Sequence, residues 1–328
     1  MVVESSNRIE ETARWVGVLD AIQSLAVVAL EGGWIKPEVI PDYSIEIEEG
    51  KHPVVSSFNR EFVPNSVKFD RDNFIHIITG PNMSGKSTFI RQVGLLVLLS
   101  HVGSFIPATS ARIGVVDAIY TRIGSADYLS KGLSTFMVEM LEVANIINNA
   151  TERSLIILDE VGRGTSTYDG ISIAWSLCEK VSRDIKAKTL FSTHYHELTT
   201  LEEELDGVKN YTMYVLEEKE SIRFMYRVLE GKADKSYGIH VAKLVGIPED
   251  VILRAQEILV KFESEKDIKK GLDDYSIFEE MIFPDLKENY DIMKKLEEID
   301  IANTTPLQAL NILNELKSGI KCKKNLDI

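Results

Sequence analysis

Residues 80–88 constrain the fold of this chain more than any other segment, because they fit the pattern G-x-x-x-x-G-K-[ST] of a phosphate-binding loop. In such a loop the glycines let the backbone curl, so that several N–H groups point at phosphate oxygens, and the following helix adds the positive end of its dipole. We expect Lys86 to reach the β- and γ-phosphates of a nucleotide, and the Ser87 hydroxyl to contact Mg²⁺. The predicted phosphate-binding residues are Gly80, Pro81, Asn82, Met83, Ser84, Gly85, Lys86, Ser87 and Thr88.

The sequence on both sides of the loop supports this interpretation. Residues 74–79 form a short apolar run that predicts a strand, and residues 86–101 predict a helix that Gly103 follows. A chance glycine-rich turn would need neither element, so the order strand, loop, helix favours a nucleotide-binding loop.

An acidic pair follows a second apolar run. Residues 155–158 are all apolar, which is typical of a strand that a parallel sheet buries on both faces, and Asp159 and Glu160 come next. Ligands of open α/β sheets bind at the carboxyl ends of strands, so we expect Asp159 to hold Mg²⁺ and Glu160 to deprotonate the attacking water. A helix cap or a solvated acidic turn is the alternative for an acid pair alone. A third predicted strand, residues 189–193, ends at His194, which could bond a γ-phosphate or serve a structural role.

These segments predict an α/β fold with a mainly parallel central sheet. The alternation over residues 43–48 predicts an antiparallel strand layer within residues 43–72. Residues 7–30 predict an amphipathic helix closed by two glycines, and residues 248–264 predict a helix that begins at a proline.

Composition bounds the remaining possibilities. The chain has 328 residues, of which 44% are hydrophobic, as in a globular protein. Cys178 and Cys322 form neither a disulfide framework nor a metal-ligand spacing, which fits a reducing cytoplasm. We find no signal peptide, and the apolar run Val93–Leu99 is too short to span a bilayer. The net charge of −14 indicates that this chain alone does not provide the main DNA-binding surface.

Several stretches closely resemble the ATPase domain of the MutS family of DNA mismatch repair proteins, and the resemblance covers nearly the whole chain. They are residues 49–55, 79–108, 133–170, 190–198 and 236–259. The resemblance implies an ABC-type ATPase that binds ATP and Mg²⁺ and works as a pair of nucleotide-binding domains.

The resemblance adds three candidate site residues and a more specific role for Asn82. Ser134 would open a helix whose N-terminus meets the γ-phosphate bound by the partner subunit; the alternative is an ordinary helix cap, a role that holds in either case. The preceding Leu133 stands where many family members have a polar residue, which removes a possible nucleotide contact. Phe62 and Tyr226 match positions that stack on adenine, but aromatic residues are more often part of a core. Asn82 matches a position that contacts the phosphates or the catalytic water.

One further segment follows the acidic pair. Residues 164–170 are small and hydroxylated, which suits close backbone approach across a dimer interface. The alternative is a simple loop with an aspartate cap on a helix that begins near Gly170.

The resemblance also divides the chain. Residues 1–34 would be the end of the lever or core helices, residues 35–264 the ATPase domain, residues 265–296 a charged linker, and residues 297–328 a small helical association element. Within the linker, residues 274–278 loosely resemble peptides that bind the replication sliding clamp, although a helix start explains them better.

The partners implied by the resemblance belong to a larger protein. They are a second copy of the chain or a higher oligomer, mismatched duplex DNA, a MutL-type repair partner and the sliding clamp, with no membrane. The family's mismatch-reading Phe-x-Glu element has no counterpart here, so we expect a cytoplasmic fragment that couples ATP to DNA binding by N-terminal regions that this chain lacks.

Other functions remain open for such a sequence. An ABC transporter ATPase would normally carry a Ser-Gly-Gly-Gln type signature, and a chromosome-structure ATPase would carry sustained heptads; we find neither. A MutS relative with a C-terminal nuclease domain finds no room for that domain in the sequence. A module that dimerises around ATP without hydrolysing it would share the same residues, and only turnover distinguishes it.

Overall fold

The computed structural model describes residues 5–124, 134–217, 222–232 and 237–270. The helices are α1 (Ser6–Gly32), α2 (Val55–Phe58), α3 (Lys86–His101), α4 (Thr135–Asn149), α5 (Thr167–Lys180), α6 (Leu201–Glu204), α7 (Gly238–Leu244) and α8 (Glu249–Lys270). The strands are β1 (Glu38–Ile40), β2 (Ile45–Gly50), β3 (Asn65–Phe69), β4 (Ile75–Thr79), β5 (Ser110–Gly114), β6 (Ile119–Arg122), β7 (Leu155–Asp159), β8 (Lys188–Ser192), β9 (Val208–Glu217) and β10 (Ile222–Glu230). Chain contacts divide the molecule into two units, which meet in sequence between Val241 and Ala242.

The central sheet has the strand order β10-β9-β4-β8-β7-β6. Its neighbours are parallel from β9 to β6, and β10 alone runs antiparallel to β9. Every residue of β4, β7 and β8 is buried, because helices cover both faces of a parallel sheet. The predicted α/β fold with a mainly parallel sheet is therefore confirmed.

A second sheet has the strand order β1-β5-β2-β3. Strands β2 and β3 are antiparallel, with Ile45 opposite Phe69, which confirms the predicted layer between residues 43 and 72. The layer is larger than predicted, because β5 joins the other edge of β2 and β1 pairs with β5 in parallel.

Helix α3 lies between the two sheets. Its residues Phe89, Val93 and Leu96 are buried in one cluster with Ile47 of β2 and Ile157 of β7. Burying a large aliphatic or aromatic side chain contributes roughly 1.5–3 kcal/mol. The helix that leaves the phosphate-binding loop is thus fixed by apolar contacts with both layers.

The opposite face of the central sheet is covered by α4 and α5. Val143 and Ile146 of α4 and Ala174 and Cys178 of α5 pack in a second cluster with Ile156. Cys178 is a free thiol in this core, and its burial raises the pKa of the thiol to about 12.

Helix α1 matches the predicted helix over residues 7–30 closely. Gly33, with a φ of 61°, caps it through a bond from its N–H to the carbonyl of Leu30. Most apolar side chains of α1 are exposed, including Leu19 at 66%, and only Ala29 is buried. By length and composition alone α1 could cross a membrane, a criterion that packing helices of ordinary proteins also pass.

In the second unit, α8 begins with Glu249 and Asp250 in its first turn, as predicted, because acidic side chains favour a helix N-terminus. The helix extends to Lys270 within the described residues, beyond the end near residue 264 that the sequence predicted. The predicted linker therefore starts inside a helix. The sliding-clamp-like residues 274–278, the rest of the linker and the association element at 297–328 lie outside the described residues.

Candidate functional site

The phosphate-binding loop connects the end of β4 to the start of α3. Gly80 and Gly85 have φ values of 132° and 101°, which side chains disfavour, so glycine is needed at both turns. The side chain of Lys86 is buried, and its Nζ donates to the carbonyl oxygens of Gly80 at 2.7 Å and Pro81 at 3.0 Å. Burial lowers the pKa of Lys86 to about 8, although Glu160 and Asp159 act in the opposite direction.

The two predicted metal ligands contact each other. The Ser87 hydroxyl donates to Oδ1 of Asp159 at 3.0 Å, and Asp159 is buried at the end of β7. A hydroxyl and a carboxylate oxygen are hard ligands that suit Mg²⁺, which takes its other ligands from phosphates and water. Within the described ranges no group of three or more His, Cys, Asp or Glu residues could hold a metal by itself. The pair therefore fits a magnesium ion bound together with a nucleotide.

Arg91, which the sequence did not point to, also reaches this carboxylate. Its Nη2 lies 3.4 Å from Oδ2 of Asp159. The guanidinium balances the carboxylate charge, so Asp159 has one oxygen facing a cation and the other facing the Ser87 hydroxyl.

Glu160 is held by two side chains and a strained backbone. Its φ is 53°, a left-handed conformation that costs a non-glycine residue roughly 1–2 kcal/mol. Oε1 lies 2.5 Å from Nε2 of His194, and Oε2 accepts from Nη1 of Arg163 at 2.5 Å. The hydrogen bond from His194 is the main cause that lowers the pKa of Glu160 to about 2, and Arg163 adds to it. The carboxylate is therefore ionised at any physiological pH.

The structure brings His194 to Glu160, one strand away at the same sheet edge. The sequence placed His194 beside a γ-phosphate and gave no sign of Arg163. The contact between His194 and Glu160 arises because β7 and β8 are parallel neighbours, with Asp159 opposite Ser192.

The predicted adenine-stacking residues also lie beside the loop. A cavity of about 450 Å³ is lined by Phe62, Tyr226 and loop residues that include Asn82, Met83 and Lys86. Tyr226 is 48% exposed, so its ring is a cavity wall rather than a core side chain. The structure thus places both rings, the loop and Glu160 around one space.

Ser134 caps α4, where its Oγ accepts from the N–H of Met137 at 3.2 Å. It is exposed and is not among the described residues that line the cavity. The neighbouring Leu133 lies outside the described residues. The cap function of Ser134 is therefore present in this single chain, and any contact with a partner's nucleotide needs a second copy.

The loop after Glu160 differs from its prediction. Helix α5 begins at Thr167, not near Gly170, and its cap is Ser166. The Ser166 hydroxyl accepts from the N–H of Asp169 and donates to the Asp169 carboxylate, so this N-cap starts the helix three residues earlier than predicted. The alternative of an aspartate cap is wrong, because Asp169 lies inside the first turn, and the interpretation of residues 164–170 as a dimer contact stays a prediction.

A buried ion pair anchors the same loop. Oε1 of Glu139, on α4, accepts from the N–H of Gly162 at 2.6 Å, and Oε2 lies 3.1 Å from Nη2 of Arg122 on β6. Sequence analysis missed both charged residues. A glutamate and an arginine in otherwise apolar segments indicate a buried ion pair only weakly in the sequence. Their contact becomes evident only in the folded structure.

A phosphate-binding loop after β4, an acidic pair after β7 and a histidine after β8 define a P-loop nucleoside triphosphatase fold of the ABC type. The family model for MutS domain V matches residues 76–263. The chain belongs to the MutS family.

Similar proteins agree with this assignment. The DNA mismatch repair protein MutS of Persephonella marina is 56% identical over 332 residues, which cover 96% of this chain and 38% of the relative. That of Aquifex pyrophilus is 55% identical, with 98% of this chain and 38% of the relative covered. That of Acetivibrio thermocellus is 50% identical, with the same coverage. The chain spans about 38% of the length of these relatives.

Proposed function

We propose that this chain binds and hydrolyses ATP as the ATPase part of a MutS-type DNA mismatch repair protein. The observation that carries the proposal is the convergence of Lys86, the Ser87–Asp159 contact and Glu160 at one edge of the central sheet. These groups supply phosphate binding, metal binding and a base, and phosphoryl transfer requires little more than positioning and charge neutralisation.

In this mechanism the ammonium group of Lys86 exchanges the carbonyl oxygens of Gly80 and Pro81 for phosphate oxygens. Ser87 and Asp159 would hold Mg²⁺, which supplies neutralisation of charge on the β- and γ-phosphates. Phe62 and Tyr226 would stack on the adenine from the cavity walls.

Glu160 would accept a proton from the attacking water. A carboxylate with a pKa near 2 is a weak base, and catalysis is best when the pKa lies near the working pH. Catalysis therefore requires that His194 or Arg163 leave Glu160. We propose that His194 turns to the γ-phosphate, while Ser134 of a second copy approaches the same phosphate with the N-terminus of α4.

The wider role follows from the relatives' name and remains part of the proposal. Two copies would close around ATP, and regions found in the longer relatives would bind mismatched duplex DNA in the cytoplasm. A MutL-type partner and the sliding clamp complete the proposed set of partners. In such coupling, ATP binding changes the affinity for DNA, and DNA binding changes the affinity for ATP by the same factor.

A second candidate is a module that dimerises around ATP without hydrolysing it. The two short contacts of Glu160 favour this alternative, because they withdraw the base from any water. The two functions differ in turnover alone.

Steady-state ATP hydrolysis at several protein concentrations separates them. We expect turnover that rises more steeply than protein concentration, that is lost in Lys86→Ala, and that falls about 10²- to 10⁴-fold in Glu160→Ala while ATP still binds. Lys36→Ala, at an exposed lysine far from the loop in sequence, is the matched control and should behave as the unaltered chain. Dimer formation with ATP but without turnover would establish the second candidate, and full turnover in Glu160→Ala would dismiss Glu160 as the base.

A further inference from the structure

Strand β10 has a large bulge beside the nucleotide cavity. Phe224 pairs with Val215 of β9 and Val228 pairs with Met213, so three residues of β10 lie opposite one residue of β9. Tyr226 is the middle residue of this bulge. Its φ of 54° is unfavourable for an aromatic residue, so neighbouring groups must hold it there.

The side chain of Asn65, at the start of β3, bonds the bulge at two points. Its Nδ2 donates to the carbonyl oxygen of Tyr226 at 2.9 Å, and its Oδ1 accepts from the N–H of Val228 at 2.7 Å. The primary amide acts here as the peptide group of a neighbouring strand would. Asn65 is only 5% exposed, so little water competes for these bonds.

The ring of Tyr226 depends on this backbone for its place. A Cβ atom added to Gly85 would lie 3.4 Å from Cδ1 of Tyr226, so the ring lies against the phosphate-binding loop. The ring of Phe224 is tilted to that of Tyr226 at a centroid distance of 6.5 Å and gives it weak support. Movement of the bulge would therefore change the distance between the Tyr226 ring and the phosphate-binding loop.

Asn65 also lies close in sequence to the other ring of the cavity and lines the cavity with it. Phe62 precedes it by three residues, and both Phe62 and Tyr226 line the same space of about 450 Å³. The start of β3 therefore helps to place both rings. Phe62 lies three residues before it in the chain, and the Asn65 amide holds the backbone of Tyr226.

We propose that Asn65 is a positioning residue for recognition of the nucleotide base, which acts by fixing the Tyr226 ring at a set distance from the phosphate-binding loop. The inference rests on the proposed binding of ATP. Asn65 itself lines the cavity, but both polar atoms of its amide bond the backbone of β10, so we assign its effect on base affinity to the position of the Tyr226 ring.

The test compares ligands with and without a base. Dissociation constants for ATP and for inorganic tripolyphosphate, both with Mg²⁺, are measured by titration calorimetry on the whole chain and on Asn65→Leu. We expect Asn65→Leu to weaken ATP binding about tenfold, within the range of base–aromatic stacking, and to change tripolyphosphate binding less than about twofold. Asn210→Leu is the matched control, because Asn210 is also a buried amide with two bonds but lies outside the cavity lining.

A double-variant cycle shows whether Asn65 acts through the ring. In a Tyr226→Ala background, Asn65→Leu should weaken ATP binding no further. A loss that persists in that background, or an equal loss for tripolyphosphate, would overturn the inference and leave ATP binding by the chain intact. If the unaltered chain bound tripolyphosphate and ATP equally well, the inference would fail and ATP binding would stand. If it bound neither, the proposed function and the inference would both fail. Should Asn65→Leu not fold, as judged by circular dichroism, Asn65→Ser and Asn210→Ser replace the pair.

Discussion

Lys86 is a buried ammonium group whose charge is only partly balanced. Its partners in the loop are neutral carbonyl oxygens, and burial lowers its pKa to about 8 from the usual 10.5. Phosphate oxygens of a nucleotide would favour the charged form and restore a high pKa. ATP binding and protonation of Lys86 are therefore thermodynamically linked.

From this linkage we predict that ATP binds more weakly as the pH rises above 8. A growing share of the free protein then has a neutral Lys86, so the loss approaches about tenfold per pH unit as long as only the charged form binds. Binding at pH 9 should take up close to one proton. Titration calorimetry in two buffers with different ionisation enthalpies measures this uptake, and an affinity that stays flat from pH 7.5 to 9.5 would contradict it.

Single-residue geometry could be predicted from the sequence only where a motif fixes it. The contact of Ser87 with Asp159 follows from a phosphate-binding loop and an acidic strand end that meet at one sheet edge. Arg163 and Arg91 could not be predicted, because a long side chain reaches many positions and the sequence does not say which acid it meets. Asn65 was missed for a related reason, since its bonds join segments about 160 residues apart.

Among the elements, α4 and the loop after Glu160 are joined by the pair Glu139–Arg122. Both side chains are buried, at 5% and 10% exposed, and Glu139 also holds the N–H of Gly162. The N-terminus of α4 and the segment behind the candidate base are therefore parts of one rigid connection. A shift of α4 would therefore displace Gly162, which lies two residues after Glu160.

We predict that Glu139→Gln lowers the free energy of unfolding by about 3 kcal/mol, because it leaves the Arg122 guanidinium buried without its main partner. This is the lower end of the expected range, since Glu142 stays 3.4 Å from Nε of Arg122. Urea unfolding gives the value. Removal of the exposed pair Lys180–Asp184 by Lys180→Ala is the control and should cost less than about 1 kcal/mol. Equal effects of the two variants would show that the buried pair has no special role.

Elements differ in how far the sequence determined them. The bounds of α3 agree with the prediction, because a glycine, an apolar run and a following glycine mark both ends. Strand β1 was not predicted, since it has three residues and owes its existence to pairing with β5, about 70 residues later. The start of α5 was misplaced, because Ser166 and not Asp169 caps the helix, and Asp169 lies in its first turn.

At the scale of the whole molecule, charge and length matter most. The chain carries a net charge of −14 and covers about 38% of its relatives. Duplex binding depends on Lys and Arg side chains that displace cations from the phosphates. An acidic chain gains little binding free energy from this release of cations. The described residues supply the parts of a nucleotide site and no comparable basic surface was evident in the sequence.

We therefore predict that the chain alone binds matched and mismatched duplexes equally and weakly, with or without ATP. To distinguish a mismatched from a matched duplex, a protein must contact base edges or bend the DNA at easily deformed base-pair steps. Tight binding to either duplex requires contacts with the phosphates. Fluorescence anisotropy with two duplexes that differ by one base pair measures both, and the slope of log affinity against log salt counts the phosphate contacts. A mismatch preference above about tenfold would show that this acidic chain carries its own reading surface, and the assignment of DNA recognition to other regions would then fail.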